Sequence, residues 1–167
     1  MRNGLMTLFV AATSLCVLCN GSCDGGPTCK LYVVPAGTDL MTPSVSFKND
    51  VLPVFQQSCA FVSCHGLTSG ANMGVYLGEP NKGPTMTATV ISAVMKPSQR
   101  LASMPYVTPG SPAQSFLMHK MDGDHCTLDM KCTSGSCGAS MPQFDPLLPL
   151  DRRDLVRRWI AQGAKDN

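Results

Sequence analysis

The cysteines constrain this chain more than any other feature. Nine occur in 167 residues, a density out of place in a reducing cytosol, where thiols serve metals or catalysis, and ordinary where disulfides form. Core material is thin by comparison, with six Phe, three Tyr and one Trp set against fifteen Gly and thirteen Pro. A loop-rich chain so poor in aromatic residues needs cross-links or a bound group to hold it together. Its length suits one domain with a single core.

The amino terminus reads as an export signal. Arg2 precedes an apolar run from Leu5 to Leu18 that is too short to span a bilayer and has the form of a signal-peptide hydrophobic region, so 1–22 is expected to be a leader. Gly21 and Ser22 are the small residues that lipoprotein processing requires before Cys23, whereas Asn20 stands where an aliphatic residue is usual. Two outcomes stay open: a lipid on Cys23 that anchors the protein to a membrane, or plain cleavage near Ser22. Either puts the mature protein outside the cytoplasm, in the periplasm or cell envelope. Residues 23–45 are turn-rich and read as a tether or N-terminal arm, leaving 46–167 as the domain. A net charge of +2, with 14% charged residues, is too mild for a nucleic-acid surface.

Periodicity predicts a mainly α domain of short helices and long ordered loops. "NDVLPVFQQSC" is a helix that Asn49 or Asp50 can cap, with Pro53 in its first turn. Phe47, Val51, Val54 and Phe55 share one face of it. "MTATVISAVMK" is a short helix stopped by Pro97. Ser111 and Pro112 start a helix that Gly123 ends, with Phe116, Leu117 and Met121 on its buried side. The last element, "LDRRDLVRRWIAQG", is the best defined. Asp151 is expected to cap it, Asp154 to complete a capping box, Leu150 and Leu155 to form a staple, and Gly163 to stop it. Leu155, Val156, Trp159 and Ile160 make its apolar face, and Arg153 and Arg157 are expected to be solvated opposite. No strand alternation appears.

The chemistry concentrates in "SCAFVSCHG". A c-type haem needs two thiols for thioether bonds and an imidazole beside the second, so that attachment itself delivers the axial nitrogen. Cys59, Cys64 and His65 supply these groups. Four residues separate the cysteines where the familiar signature has two, so Phe61 and Val62 or their neighbours must bulge outward. A Cys59–Cys64 disulfide uses the same residues. A zinc knuckle would do so too, although adjacent Cys and His do not easily face one tetrahedral ion. For a sulfur ligand on the far side of the iron, Met141 stands out among eleven methionines. It lies in "GASMPQ", on a Cys-stiffened loop before the last helix and followed by Pro142. Met104, in "SMPYV", is its rival, and Met118 and Met121 sit at core positions of a helix.

The order Cys-Cys-His after an N-terminal helix, a late Met-Pro and a final Trp-Ile helix resembles a class I cytochrome c domain. "DVLPVFQQSCAFVSCHG", "YVTPGSPAQSFLMHKMDG", "MPQFDPLL" and "DRRDLVRRWIAQGA" are similar to the planctomycete-type cytochrome c domains of secreted bacterial proteins and lipoproteins, over about Phe47 to Ala164. The resemblance implies one haem c per chain. Cys59 and Cys64 would carry it covalently, His65 would be the proximal iron ligand and Met141 the distal one. It also implies that the first and last helices cross, with Phe55, Trp159 and Ile160 in the core.

Cysteine arithmetic fits this reading without deciding it. With Cys16 and Cys19 in the leader, Cys23 lipidated and Cys59 and Cys64 on haem, Cys29, Cys126, Cys132 and Cys137 remain for two bridges of undetermined pairing. The count closes equally well with Cys59 bridged to Cys64. No nucleophile elbow, P-loop or dinucleotide fingerprint is present. His119 and His125 read as exposed, and Asp122, Asp124 and Asp129 as a solvated loop. The expectation is therefore a one-electron carrier with unknown redox protein partners, not an enzyme. The alternative is a haem-free, disulfide-stapled cell-envelope binding module on the same fold.

Overall fold

A computed structural model describes residues 29–68, 74–80 and 86–167. The leader and Cys23 lie outside the described residues. The protein is mainly helical, and its β-structure among the described residues is a single antiparallel bridge between Pro97 and Pro105. A π-turn, Phe47–Val51, runs straight into α1, Leu52–Ser58. The other helices are α2, Thr87–Val94, α3, Phe116–Asp122, and α4, Leu150–Ala161. Short 3₁₀ turns at Pro112–Gln114, His125–Lys131 and Thr133–Gly135 fill the loops between α2 and α4. None of these helices is long and apolar enough to cross a membrane.

The entry to the first helix lies three residues before the expected cap. Ser46 Oγ accepts from the Asn49 amide (3.2 Å), and the Asp50 carboxylate accepts from the Ser46 amide (2.8 Å). This reciprocal pair satisfies two donors at once, so Asp50 works from inside the helix. Phe47 is thereby placed against Trp159 of α4, ring centroids 5.0 Å apart, and edge-on to Phe55 at 6.3 Å. Val51, Phe55, Val156, Trp159 and Ile160 are all buried in the same core. The first and last helices do pack together through the residues their periodicity selected.

The helix expected from Ser111 to Gly123 is broken. Ser115 takes an extended backbone because its hydroxyl accepts from the Thr108 amide (2.9 Å) and donates to the Ser111 carbonyl (2.9 Å). Such local side-chain bonds compete with the helical ladder. Helix resumes at Phe116 and ends, as expected, where Gly123 turns left-handed at φ 74°.

The start of α4 differs too. It begins at Leu150 after Pro149, so Leu150 is itself helical and half exposed, and Asp151 points to solvent without capping. Asp154 pairs with Arg157 and closes no capping box. Arg157, expected in solvent, is 1% exposed. It grips both oxygens of Asp122 (2.7 and 2.6 Å) as well as Asp154, and Arg153 reaches the same Asp122 at 2.7 Å.

The histidines and acidic loop residues are likewise interior groups. His119 is 8% exposed, with Nδ1 2.7 Å from the buried Asp124 carboxylate, and His125 is 7% exposed. Asp129 accepts from the Cys137 amide at 2.7 Å. These corrections have one cause: the loop from 123 to 149 is folded onto α3, and polar groups taken out of water must find partners.

Two disulfides give the four remaining cysteines their pairing. Cys132–Cys137 closes a tight loop, and Cys29–Cys126 ties the arm to the domain. The arm is held at further points. The Tyr32 amide donates to Asp124 (2.8 Å), and its ring covers the Arg153 and Arg157 guanidiniums at 5.4 and 4.6 Å. Gln162 of the α4 exit donates to the Leu40, Met41 and Pro43 carbonyls and accepts from the Val45 amide.

Candidate functional site

The site grows from the end of α1. Cys59 closes the helix, its amide donating to the Phe55 carbonyl at 2.8 Å. The chain then doubles back. The Phe61 carbonyl accepts from the Cys64 amide (2.8 Å) and the Gly66 amide (3.0 Å), which makes a tight turn with Val62 and Ser63 at its corners. The His65 amide reaches back to the Cys59 carbonyl at 3.1 Å, so the extra residues between the cysteines are absorbed in a hydrogen-bonded turn. Phe61 and Val62 stand out into solvent.

Gly66 is required by this closure. A Cβ at that position would lie 2.4 Å from the Ala60 carbonyl oxygen, a backbone atom that cannot step aside. Only a glycine lets the strand after His65 cross the start of the turn.

His65 is positioned by the buried segment Val75 to Gly78. Its Nδ1 is 3.1 Å from the Val75 carbonyl, and its own carbonyl accepts from the Leu77 amide at 2.9 Å. Donation from Nδ1 to that carbonyl fixes the tautomer and makes Nε2 the nitrogen that would take a metal. The partner is a backbone atom contributed ten residues downstream, which no side-chain motif advertises.

Cys59 and Cys64 are both unbridged. Cys59 is half buried, and its thiol is pushed up to about 12, first by burial and then by the nearby Cys64. Cys64 is exposed. Among the described residues no three His, Cys, Asp or Glu side chains gather into a metal-ion cage.

Met141 is held elsewhere, on the loop beyond the Cys132–Cys137 bridge. It is half buried, its amide donates to the Lys120 carbonyl of α3 at 2.8 Å, and the Met141–Pro142 peptide is cis. Met104 packs, partly buried, against the core between α2 and α3. The structure therefore brings Cys59, Cys64 and His65 into one turn and carries Met141 on a separately anchored loop.

As a donor set, two unbridged thiols followed directly by an oriented imidazole fit a thioether-linked haem, which takes from the chain two sulfurs and one nitrogen on this side. Compared with known proteins, the chain matches no family model, no curated protein and no solved structure.

Proposed function

We propose that this protein is an extracytoplasmic mono-haem c-type cytochrome that passes single electrons between redox proteins, with Cys59 and Cys64 holding the haem, His65 as proximal ligand and Met141 as distal ligand. The observation that carries the proposal is the pairing pattern: Cys29, Cys126, Cys132 and Cys137 are bridged, whereas Cys59 and Cys64, close together in the turn that leads to an oriented His65, are not. Packing of Phe47 on Trp159 adds support for a class I cytochrome c-like arrangement. So does the Met-Pro on a loop stiffened by a disulfide.

When bound, haem c supplies a reversible one-electron couple at iron. The residues of this chain do the holding. Cys59 and Cys64 would give thioether sulfurs, Val75 orients the His65 ring through Nδ1, and Met141 would offer a soft sulfur that favours the reduced state. A lipid on Cys23 would keep the carrier at a membrane surface.

A second reading has its own observation. Cys132 and Cys137 are five positions apart and bridged, and Cys59 and Cys64 have the same separation. This chain can thus close a disulfide over that spacing, which would leave a haem-free, disulfide-stapled binding module of the cell envelope.

Export from a host equipped for haem attachment separates the two. The cytochrome reading expects a Soret band and haem that stays with the chain through denaturation, and a colourless product with bridged Cys59 and Cys64 would sink it. Met141→Ala should then abolish the far-red sulfur-to-iron absorbance and lower the potential. The same loss in Met104→Ala, with Met141→Ala unaffected, would move the distal ligand to Met104.

A further inference from the structure

Beside the Met141 loop lies a second cluster of charge that the cytochrome reading does not use. Lys120 of α3 is buried, its ammonium 5.8 Å from the Phe116 ring centroid and donating to the Cys137 carbonyl at 2.8 Å. No carboxylate lies within ion-pair distance of that ammonium among the described residues. Arg100 stands next to it and likewise forms no ion pair among the described residues. The Lys120 Nζ and the Arg100 Nε lie 3.6 and 4.0 Å from the point a Cβ on residue 138 would occupy.

That residue is Gly138, exposed and left-handed at φ 79°. With no side chain there, space for an atom is left within about 4 Å of both cations. His125 completes the group. It is 7% exposed, it lies beside the Gly138 backbone and Lys120, and its Nδ1 makes no hydrogen bond. A buried polar atom left unmatched is unfavourable unless something meets it.

The charges here do not balance. The carboxylates that act on Lys120 and His125 are Asp129 and Asp124, and both are already engaged, Asp129 by the Cys137 amide and Asp124 by His119 and the Tyr32 amide. Burial first and Arg100 second push Lys120 down to about 8, and burial first and Lys120 second lower His125. A small anion held between the Lys120 ammonium and the Arg100 guanidinium would supply the counter-charge that neither has in an ion pair. The Cys132–Cys137 bridge holds the carbonyl that aims Lys120, so the cluster is set on a stiff frame.

We propose that Arg100, Lys120 and His125, gathered beneath Gly138, form a binding site for a small oxyanion: phosphate, sulfate or a carboxylate. The anion has two chemical sources, a free solute or a carboxylate of the porphyrin proposed above, and the site itself does not depend on haem being present.

The test is calorimetric titration of inorganic phosphate into the haem-free full chain near neutral pH, with chloride at matched ionic strength as reference. Saturable one-to-one binding is expected, weakened about tenfold or more in Arg100→Gln, as loss of one charge-assisted hydrogen bond implies. Lys120→Met, which keeps an apolar chain of similar length and removes the charge, should do the same. Arg152→Gln, a half-exposed position on α4, should leave binding unchanged.

Phosphate heats that chloride reproduces, or binding that Arg100→Gln leaves intact, would overturn the proposal. Because Arg100 has no ion pair to lose, its variant keeps the test alive should Lys120→Met fold poorly. In the haem-loaded chain, loss of phosphate binding assigns the site to a porphyrin carboxylate, and its persistence assigns it to a free solute. A chain that takes up no haem sinks the cytochrome reading and leaves the phosphate result standing.

Discussion

His119 shows how one residue's surroundings set a measurable property. Its Nδ1 donates to Asp124 at 2.7 Å and its Nε2 lies 3.2 Å from the Ala113 carbonyl, and the Asp124 hydrogen bond, opposed by burial, raises its pKa above 6.5. Asp122 adds to the shift. The folded state therefore holds the proton more tightly than the unfolded chain, and the stability gained is full below 6.5 and lost as pH rises through the raised value. Urea midpoints of the native chain should fall as pH climbs upward from 6.5, and His119→Gln should flatten that fall; equal slopes in the two proteins would refute the assignment. The histidine's type and place were legible in the sequence, but its burial was not. A lone His on a helix gives no sign that Asp124, beyond the helix end, will fold back over it.

At the scale of elements, α4 carries both a success and a failure of pattern reading. Trp159, Ile160 and Val156 sit at helical spacing and are buried as that spacing predicts. Arg157 lies among them in the same register, yet its charge argued for solvent. The structure resolves the conflict by bringing Asp122 from the end of α3 and Asp154 from one turn earlier, so the guanidinium is buried with its partners. Removing one member of such a group leaves carboxylates buried without compensation. Arg157→Met is expected to cost about 3 kcal/mol in chemical unfolding, and Arg152→Met, half exposed, about 0.5 kcal/mol or less. A cost for Arg157→Met no greater than that of Arg152→Met would show that the network contributes little. The candidate site divides along the same line. Cys59, Cys64 and His65 were visible because their chemistry is local, whereas the Val75 carbonyl and the turn on Phe61 are backbone arrangements with no side-chain signature.

Across the whole molecule, the arm and the domain are one unit because Cys29 is bonded to Cys126 over a separation of 97 residues. Closing so long a loop restricts the unfolded chain strongly, and Cys29→Ser with Cys126→Ser should lower stability by about 2–4 kcal/mol. Amide exchange should rise over residues 30–40 in that variant, with α1 and α4 unchanged; no change in the arm would mean that Tyr32 and Gln162 hold it unaided. Parity of the cysteine count allowed two bridges, but pairing depends on which loop meets which, and only the folded chain supplies that. The bridge also sets a length. On the lipid-anchored reading, Cys23 precedes Cys29 by six peptide units, a leash of about 20 Å when fully drawn out. Without the clasp the leash could run to about residue 40, where Gln162 still holds the chain, about 60 Å. If the protein is the electron carrier proposed above, the shorter leash would confine it to donors and acceptors lying almost at the membrane surface, and opening one disulfide would begin to widen the circle of partners it could visit.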